Sequence, residues 1–472
     1  MVMKKLSVLA MAMIVMASCA KENVQPNNEP TGEKALLEIG LASTKTQLGK
    51  EDNGFFPIVW SEGDEIAVIE NMGVEGKQNV SVYSLREGAG TANGVFELVE
   101  GSPKVTNNVD VVYPASAVKG KGLIKDISSL VPKDQTQSYE DGNFDKNAAV
   151  MYFHRNNPAD KIVLEPLSSI ICIPIKGFDD NDVVTAVKWQ NMDGRTATVT
   201  LNCPNGVTLS KGQATNFYLS IQPMLKDCNG IAYVYLKNGA IQVKTPRNLK
   251  AFKAGTLHRF PEWTLSKKAK WSILAQGSER DNDTYKGVPY GPAKYMIDGN
   301  DVSWWESRRE LNATKDGAKM AGPHTVVIDL GSVQKIHGIK IKSKETEDKN
   351  EPKYGITYTK NGKTYDIYGT QSYNPPHTFH IGFTANVPSE AEINAFTKNK
   401  KLPAGTTQTT FKSINENGIN HYYGADKKTW WDNEITPSIS ARYVFIHFQY
   451  AWNNDGNGTA APFEKIAELD IY

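Results

Sequence analysis

Period-2 alternation runs through almost the whole chain after residue 33 and leaves little room for anything but strands. Leu37, Ile39 and Leu41 alternate with polar or small neighbours, Ile66 and Val68 follow a Gly63-Asp64 turn, and Phe217, Leu219 and Ile221 repeat the pattern. Successive side chains of a strand point to opposite faces, so this spacing buries one face and wets the other. Asp193-Gly194 and Asn238-Gly239 each separate two such runs. These dipeptides suit two-residue hairpins, in which both central positions take positive φ. Helical periodicity is scarce. The clearest helix start is Pro388-Ser389-Glu390-Ala391-Glu392, with Ser389 and Glu392 spaced as a capping box. Many short strands with turn signals between them predict an all-β protein built from β-sandwiches.

The chain has 472 residues, enough for about three domains with cores of their own. Lys and Arg number 53 against 52 Asp and Glu, and this balance argues against a nucleic-acid partner, which wants a basic face. After residue 18 no apolar run approaches the ~18 residues that a helical membrane span requires.

The first eighteen residues read as an export signal. Lys4 and Lys5 precede a twelve-residue apolar stretch, Leu6 to Ala17, too short to span and suited to a secretory signal peptide. The segment ends in Met16-Ala17-Ser18-Cys19, which resembles the lipobox of bacterial lipoproteins. That resemblance implies a diacylated Cys19 as the new N-terminus and a lipid-anchored protein of the outer membrane, displayed at the cell surface. An ordinary signal peptide with an incidental cysteine is the other reading. Residues 19–33 lack apolar periodicity and read as a flexible tether.

Cys172, Cys203 and Cys228 remain, an odd number that completes no disulfide framework. Cys203 falls on the apolar side of the Ala197–Cys203 alternation, as a small buried hydrophobe would. A Cys203–Cys228 bridge is the alternative. Six of nine tryptophans and thirteen of twenty tyrosines fall after residue 270. The Lys-rich stretch Ser266–Lys270 precedes that shift and reads as a linker between two architectures. Polar residues 154–160 divide the first architecture into strand-rich halves, 34–160 and 161–263.

The motif Val59-Trp60-Ser61-Glu62-Gly63-Asp64-Glu65-Ile66 resembles the W-x-x-G-D-x-I signature of fimbrillin-like lipoproteins. Val109–Ser116, Leu164–Ile173 and Ala254–His258 follow in that family's order. The resemblance covers residues 34–263 and implies two transthyretin-like β-sandwiches. It also implies assembly with other fimbrillin-type subunits by donor-strand exchange, a form of β-strand addition. In the best-known members the activating cleavage follows an arginine. Here the first arginine is Arg86, inside or beside a strand and after at least three predicted strands. A non-polymerising surface lipoprotein, or a tip or anchor subunit, therefore fits better than a bulk shaft pilin.

From Lys270 to Tyr472 the chain resembles a discoidin domain, the type-C, galactose-binding-like jelly roll. The segments carrying this are Trp271–Glu279, Pro292–Ser307, Pro323–Gly331 with Ile336–Ile339, and Ala441–Val444 with Ile466–Ile471. Residues 345–435 depart from the pattern as an insertion. Asp298-Gly299-Asn300-Asp301 packs oxygen donors around a sharp turn, and calcium takes six to eight oxygens. The resemblance implies a structural Ca2+ held by Asp298, Asp301, Ser303 and Glu468. A metal-free Asp-Gly turn with Glu468 solvated is the alternative.

The resemblance also places Trp305 in the core, so adjacent Trp304 points outward or packs under the insertion. Trp452, in the polar loop Tyr450–Gly458, offers a flat apolar platform for a sugar, and this loop commonly contacts ligand in the family. Glu306, Arg308 and Tyr290 are candidate polar partners. His377 and His380 lack the i, i+4 spacing of a helical zinc site. No segment resembles a catalytic domain. The expected function is non-catalytic: glycan binding or adhesion through the C-terminal domain, with a fimbrial accessory or tip subunit as the alternative.

Overall fold

Strand β2 shows how alternation becomes structure here. In this computed structural model, residues 35–41, 59–102, 108–137, 145–192, 197–224, 226–246, 248–277, 282–285, 287–300, 302–306, 324–343, 354–360, 363–369, 378–412, 414–416, 419–421, 431–449 and 465–472 are described. Cys19, Asp301, Arg308, Trp452 and the Asp193-Gly194 turn lie outside them. The first strands are β1 (Leu36–Leu41), β2 (Glu65–Glu70), β3 (Asn79–Glu87), β4 (Asn93–Glu100), β5 (Val109–Tyr113), β6 (Asp134–Thr136), β7 (Met151–Arg155) and β8 (Ile162–Pro166). All but β6 form a closed barrel, in the order β1-β4-β3-β2-β5-β7-β8. Closure comes from the parallel pairing of β1 with β8, Ile39 opposite Ile162. Ile66 and Val68 of β2 face one core with Phe96, Val111 and Leu164. Ala67 and Ile69 face a second core, roofed by the 3-10 turns Ala115–Ala117 and Ile127–Leu130.

The Trp60 motif closes one corner of this barrel. Trp60 is 1% exposed and meets Phe96 and Tyr113 edge-on, at 4.8 and 5.4 Å between ring centroids. Asp64 holds the turn, accepting from the Ser61 amide (2.7 Å) and from the Tyr113 hydroxyl (3.0 Å). Gly63 supplies the positive φ, 79°, that the turn needs.

The next strands are β9 (Ser169–Lys176), β10 (Val183–Asn191), β11 (Val199–Thr208), β12 (Thr215–Ile221), β13 (Gly230–Leu236), β14 (Ile241–Lys244), β15 (Leu257–Arg259) and β16 (Trp263–Thr264). One sheet runs β14-β13-β10-β11-β6 and the other β12-β9-β15, with β16 also on β9. Ile171 and Ile173 of β9, Trp189 of β10, Leu201 of β11 and Phe217 of β12 share one core. The opposite face of β9, Ile170 and Cys172, joins the barrel core, so β9 is apolar on both faces. Across the 154–160 divide, β6 enters the second region's sheet while β8 stays in the barrel. At Asn238-Gly239 only Gly239 takes a positive φ (87°). The turn closes through Gly239 N–H to the Leu236 carbonyl (2.9 Å), so it is not the expected two-residue hairpin with two positive φ angles. Cys172, Cys203 and Cys228 are buried free thiols; a Cys203–Cys228 bridge is absent.

The last strands are β17 (Ser272–Gln276), β18 (Asp283–Tyr285), β19 (Val288–Gly291), β20 (Trp304–Glu306), β21 (Thr325–Ser343), β22 (Tyr354–Lys360), β23 (Lys363–Gly369), β24 (Thr378–Thr384), β25 (Thr407–Lys412), β26 (Ile414–Glu416), β27 (Ile419–His421), β28 (Trp431–Gln449) and β29 (Lys465–Ile471). One sheet runs β18-β19-β20-β29-β21-β28-β24-β25, with β17 on β21; β22–β23 and β26–β27 pair separately. The long strands β21 and β28 break register between Asp329 and Gln334, beside Gly331 at φ 81°. The first half of β21 pairs with β17 and the second half with β29. Trp271, Trp305, Ile328, Ile339, Phe448 and Leu469 lie in the core between these layers. Within the insertion, β24 and β25 widen the sheet beside β28. Helix α1 (Glu390–Asn399) starts with the expected Ser389–Glu392 capping box, and its Phe396 packs on Phe445.

Candidate functional site

Strand alternation sends the two adjacent tryptophans of β20 in opposite directions. Trp305 enters the domain core, 0% exposed, with its ring 5.1 Å from Phe448. Trp304 stacks on Tyr290 at 4.6 Å and 10°, in a cluster with Val288, Ala467 and, from the end of β10, Met192. The Trp304 indole N–H donates to Glu306 (3.2 Å), and the Tyr290 hydroxyl donates to Asp283 (2.8 Å). Trp304, Tyr290 and Glu306 are 3%, 7% and 2% exposed. A sugar platform needs an open ring face, and the described geometry gives neither Trp304 nor Tyr290 one; the Glu306 carboxylate is buried against the Trp304 indole N–H. Through Met192, the Trp304–Tyr290 cluster joins the C-terminal region to the preceding sheets. Met192 and Val302 pack against this cluster.

A second contact continues this junction. Tyr295 packs with Ile231, Tyr233, Ile241 and Val243 of β13 and β14. The Val243 amide donates to the Asp298 carbonyl (3.0 Å). Gly299 turns the loop at φ 79°; a Cβ there would lie 3.4 Å from Gln242 and 3.5 Å from Ser266.

The loop brings Asp298 and Ser303 together. Asp298 is wholly buried. Its Oδ1 accepts from the Asn300 amide (2.8 Å) and its Oδ2 from the Ser303 hydroxyl (2.6 Å). Burial pushes the Asp298 carboxyl well above the usual range, opposed by these hydrogen bonds and by Lys268. Glu468 of β29 is also buried, and its Oε1 is ion-paired with the Lys268 ammonium. Glu468 Oε2 has no hydrogen-bond partner among the described residues. Burial draws the Lys268 pKa down to about 8, opposed by Asp470 and Asp298.

These donors do not fit calcium. The cation paired with Glu468 is a lysine ammonium, whose charge also acts on Asp298. Among the described residues no cluster of His, Cys, Asp or Glu is arranged to hold a metal. Asp301, the remaining expected ligand, lies outside the described residues.

Lys268 is the residue that sequence reasoning missed. Residues Lys267–Lys270 form a 3-10 turn, and its neighbours are anchored on either side. Lys267 reaches Asp470 (3.0 Å) and the Ile471 carbonyl (2.9 Å). Lys270 reaches Asp182 (2.6 Å) and Asp179 (2.8 Å). A run of lysines gives no sign of which one is buried. Only the partner carboxylate, 200 positions away, decides it.

Comparison with solved structures finds the C-terminal domain of a chitobiase from Bacteroides fragilis, 18% identical over 44% of this chain and 95% of that one, TM-score 0.25. It also finds a family 32 carbohydrate-binding module from Clostridium perfringens NanJ in complex with galactose, 14% identical over 43% and 95%, TM-score 0.22. A third is a module of a family 31 glycoside hydrolase from Clostridium perfringens, 15% identical over 44% and 93%, TM-score 0.26. No protein-family model and no curated protein matches the chain.

Proposed function

We propose that this protein is a non-catalytic, lipid-anchored surface lipoprotein that binds glycans through its C-terminal domain. The observation that carries the reading is the connection between β28 and β29. Both flanking strands are core strands, with Phe448 and Ile466 buried, and the sequence between them is the polar segment that contains Trp452. Binding residues are commonly carried by loops on such scaffolds. With Trp304, Tyr290 and Glu306 buried, Trp452 is the remaining aromatic candidate, and Arg308 the remaining charged one. The test is a glycan array probed with the full protein and with Trp452→Ala. Binding by the parent that the variant lacks supports the reading; no binding by the parent, or equal binding by both, overturns it.

A second reading, a fimbrial accessory subunit joined by donor-strand exchange, draws on β1. This strand alone bridges β4 and β8, so its removal would open both edges to a strand from a neighbour. SDS-resistant ladders after limited proteolysis favour that reading, and a purely monomeric digest counts against it.

A further inference from the structure

A buried carboxylate needs a cation or hydrogen-bond donors, because an isolated buried charge is costly. Here the cation is Lys268, whose side chain is 9% exposed. Its ammonium pairs with Glu468, and it exerts a charge interaction on Asp298. The lysine is presented rather than free to wander. Lys267 and Lys270, on either side of it, are tied to the last strand and to the β9–β10 connection respectively. A divalent ion between the same two carboxylates would sit against a like charge in a low-dielectric interior.

We propose that Lys268 is the resident cation of this site, a tethered ammonium that pairs with Glu468 of β29, within charge range of Asp298, in place of a divalent ion. Two consequences follow from its chemistry. The ion pair is independent of dissolved metal, and its ammonium is supplied by the turn that joins the C-terminal region to the preceding sheets. Removing the ammonium while keeping the apolar stem, as in Lys268→Met, leaves the buried Glu468 carboxylate without its cation. The uncompensated charge then attracts a small hard divalent ion such as calcium, which is recognised by oxygen donors.

The experiment is thermal unfolding of the full-length protein in chelator and in millimolar calcium, with the metal content of the purified protein measured alongside. The parent is expected to carry no stoichiometric metal and to melt at the same temperature in both solutions. Lys268→Met is expected to melt several degrees lower in chelator and to recover part of that loss in calcium. Lys268→Arg, which keeps the charge, is expected to remain insensitive to calcium. The proposal is overturned if the parent holds calcium or melts lower in chelator. It is equally overturned if Lys268→Met melts as the parent does, or gains nothing from calcium. Should Lys268→Met fail to fold, the parent's metal content and the Lys268→Arg melts decide alone.

Discussion

Trp304 and Trp305 are neighbours in sequence and belong to different cores. Trp305 packs on Phe448 inside the C-terminal domain, while Trp304 stacks on Tyr290 beside Met192. Their replacement should therefore fail in different ways. Trp305→Ala is expected to destabilise the domain by about 3–5 kcal/mol, as for a large buried aromatic. Trp304→Ala should loosen the junction and split unfolding into two transitions. Differential scanning calorimetry distinguishes them; a single unshifted transition for Trp304→Ala would count against the junction role.

If Trp452 is the sugar platform, Trp452→Ala should abolish glycan binding while leaving the melting temperature within about a degree or two, since substitutions away from a core usually change stability by less than ~0.5 kcal/mol. Unfolding of this variant would place Trp452 in a structural role.

Gln135 is a polar residue at a buried seam, 1% exposed. Its side chain donates to the Ser220 carbonyl (2.6 Å) and accepts from the Ser220 amide (2.9 Å). Gln135→Ala would leave both Ser220 groups buried without partners, at a cost of about 1–3 kcal/mol each. Denaturant titration of the variant checks this, and a midpoint matching the parent rules it out.

His447 introduces acid sensitivity. Burial, with Lys400 after α1, His380 on β24 and His324 before β21, lowers its pKa to about 4. An unfolded histidine titrates near 6.5. The folded state thus resists protonation: no cost arises above pH ~6.5, and stability falls as pH drops from there towards 4, by up to about 3 kcal/mol. His447→Phe should flatten that part of the stability profile; an unchanged slope between pH 6.5 and 4 would exclude His447 as its source.

If Cys19 carries the acyl chains, Cys19→Ala should leave the membrane fraction or accumulate unprocessed, with the folded domains unaffected. Fractionation identical to the parent would show that the anchor lies elsewhere.

Much of the fold was legible because burial on one face of a strand writes itself into alternation. Ile66 and Val68 fell on one core face, Trp305 lay in the core where the resemblance placed it, and the Ser389–Glu392 spacing marked the start of α1. Three things were not legible. The three-residue strand β6 carries no periodic pattern, so its departure into the second region's sheet left no local trace. Alternation sent Trp304 away from Trp305 but could not say that Met192 would pack against its cluster. Lys268 lies in a run of charges whose ordinary fate is solvation, and its burial depends on Glu468 and Asp298, both remote in sequence.

The placement of β6 and β8 makes the first two regions indivisible. The polypeptide leaves the barrel after β5, contributes β6 to the neighbouring sheet, returns for β7 and β8, and departs again into β9. No single cut separates the barrel from the β14-β13-β10-β11-β6 sheet with both left whole, because β6 precedes β7 and β8 in the chain. A truncation or recombination designed at the polar 154–160 segment, where the chain invites division, would strand β6 on one piece and the sheet it completes on the other.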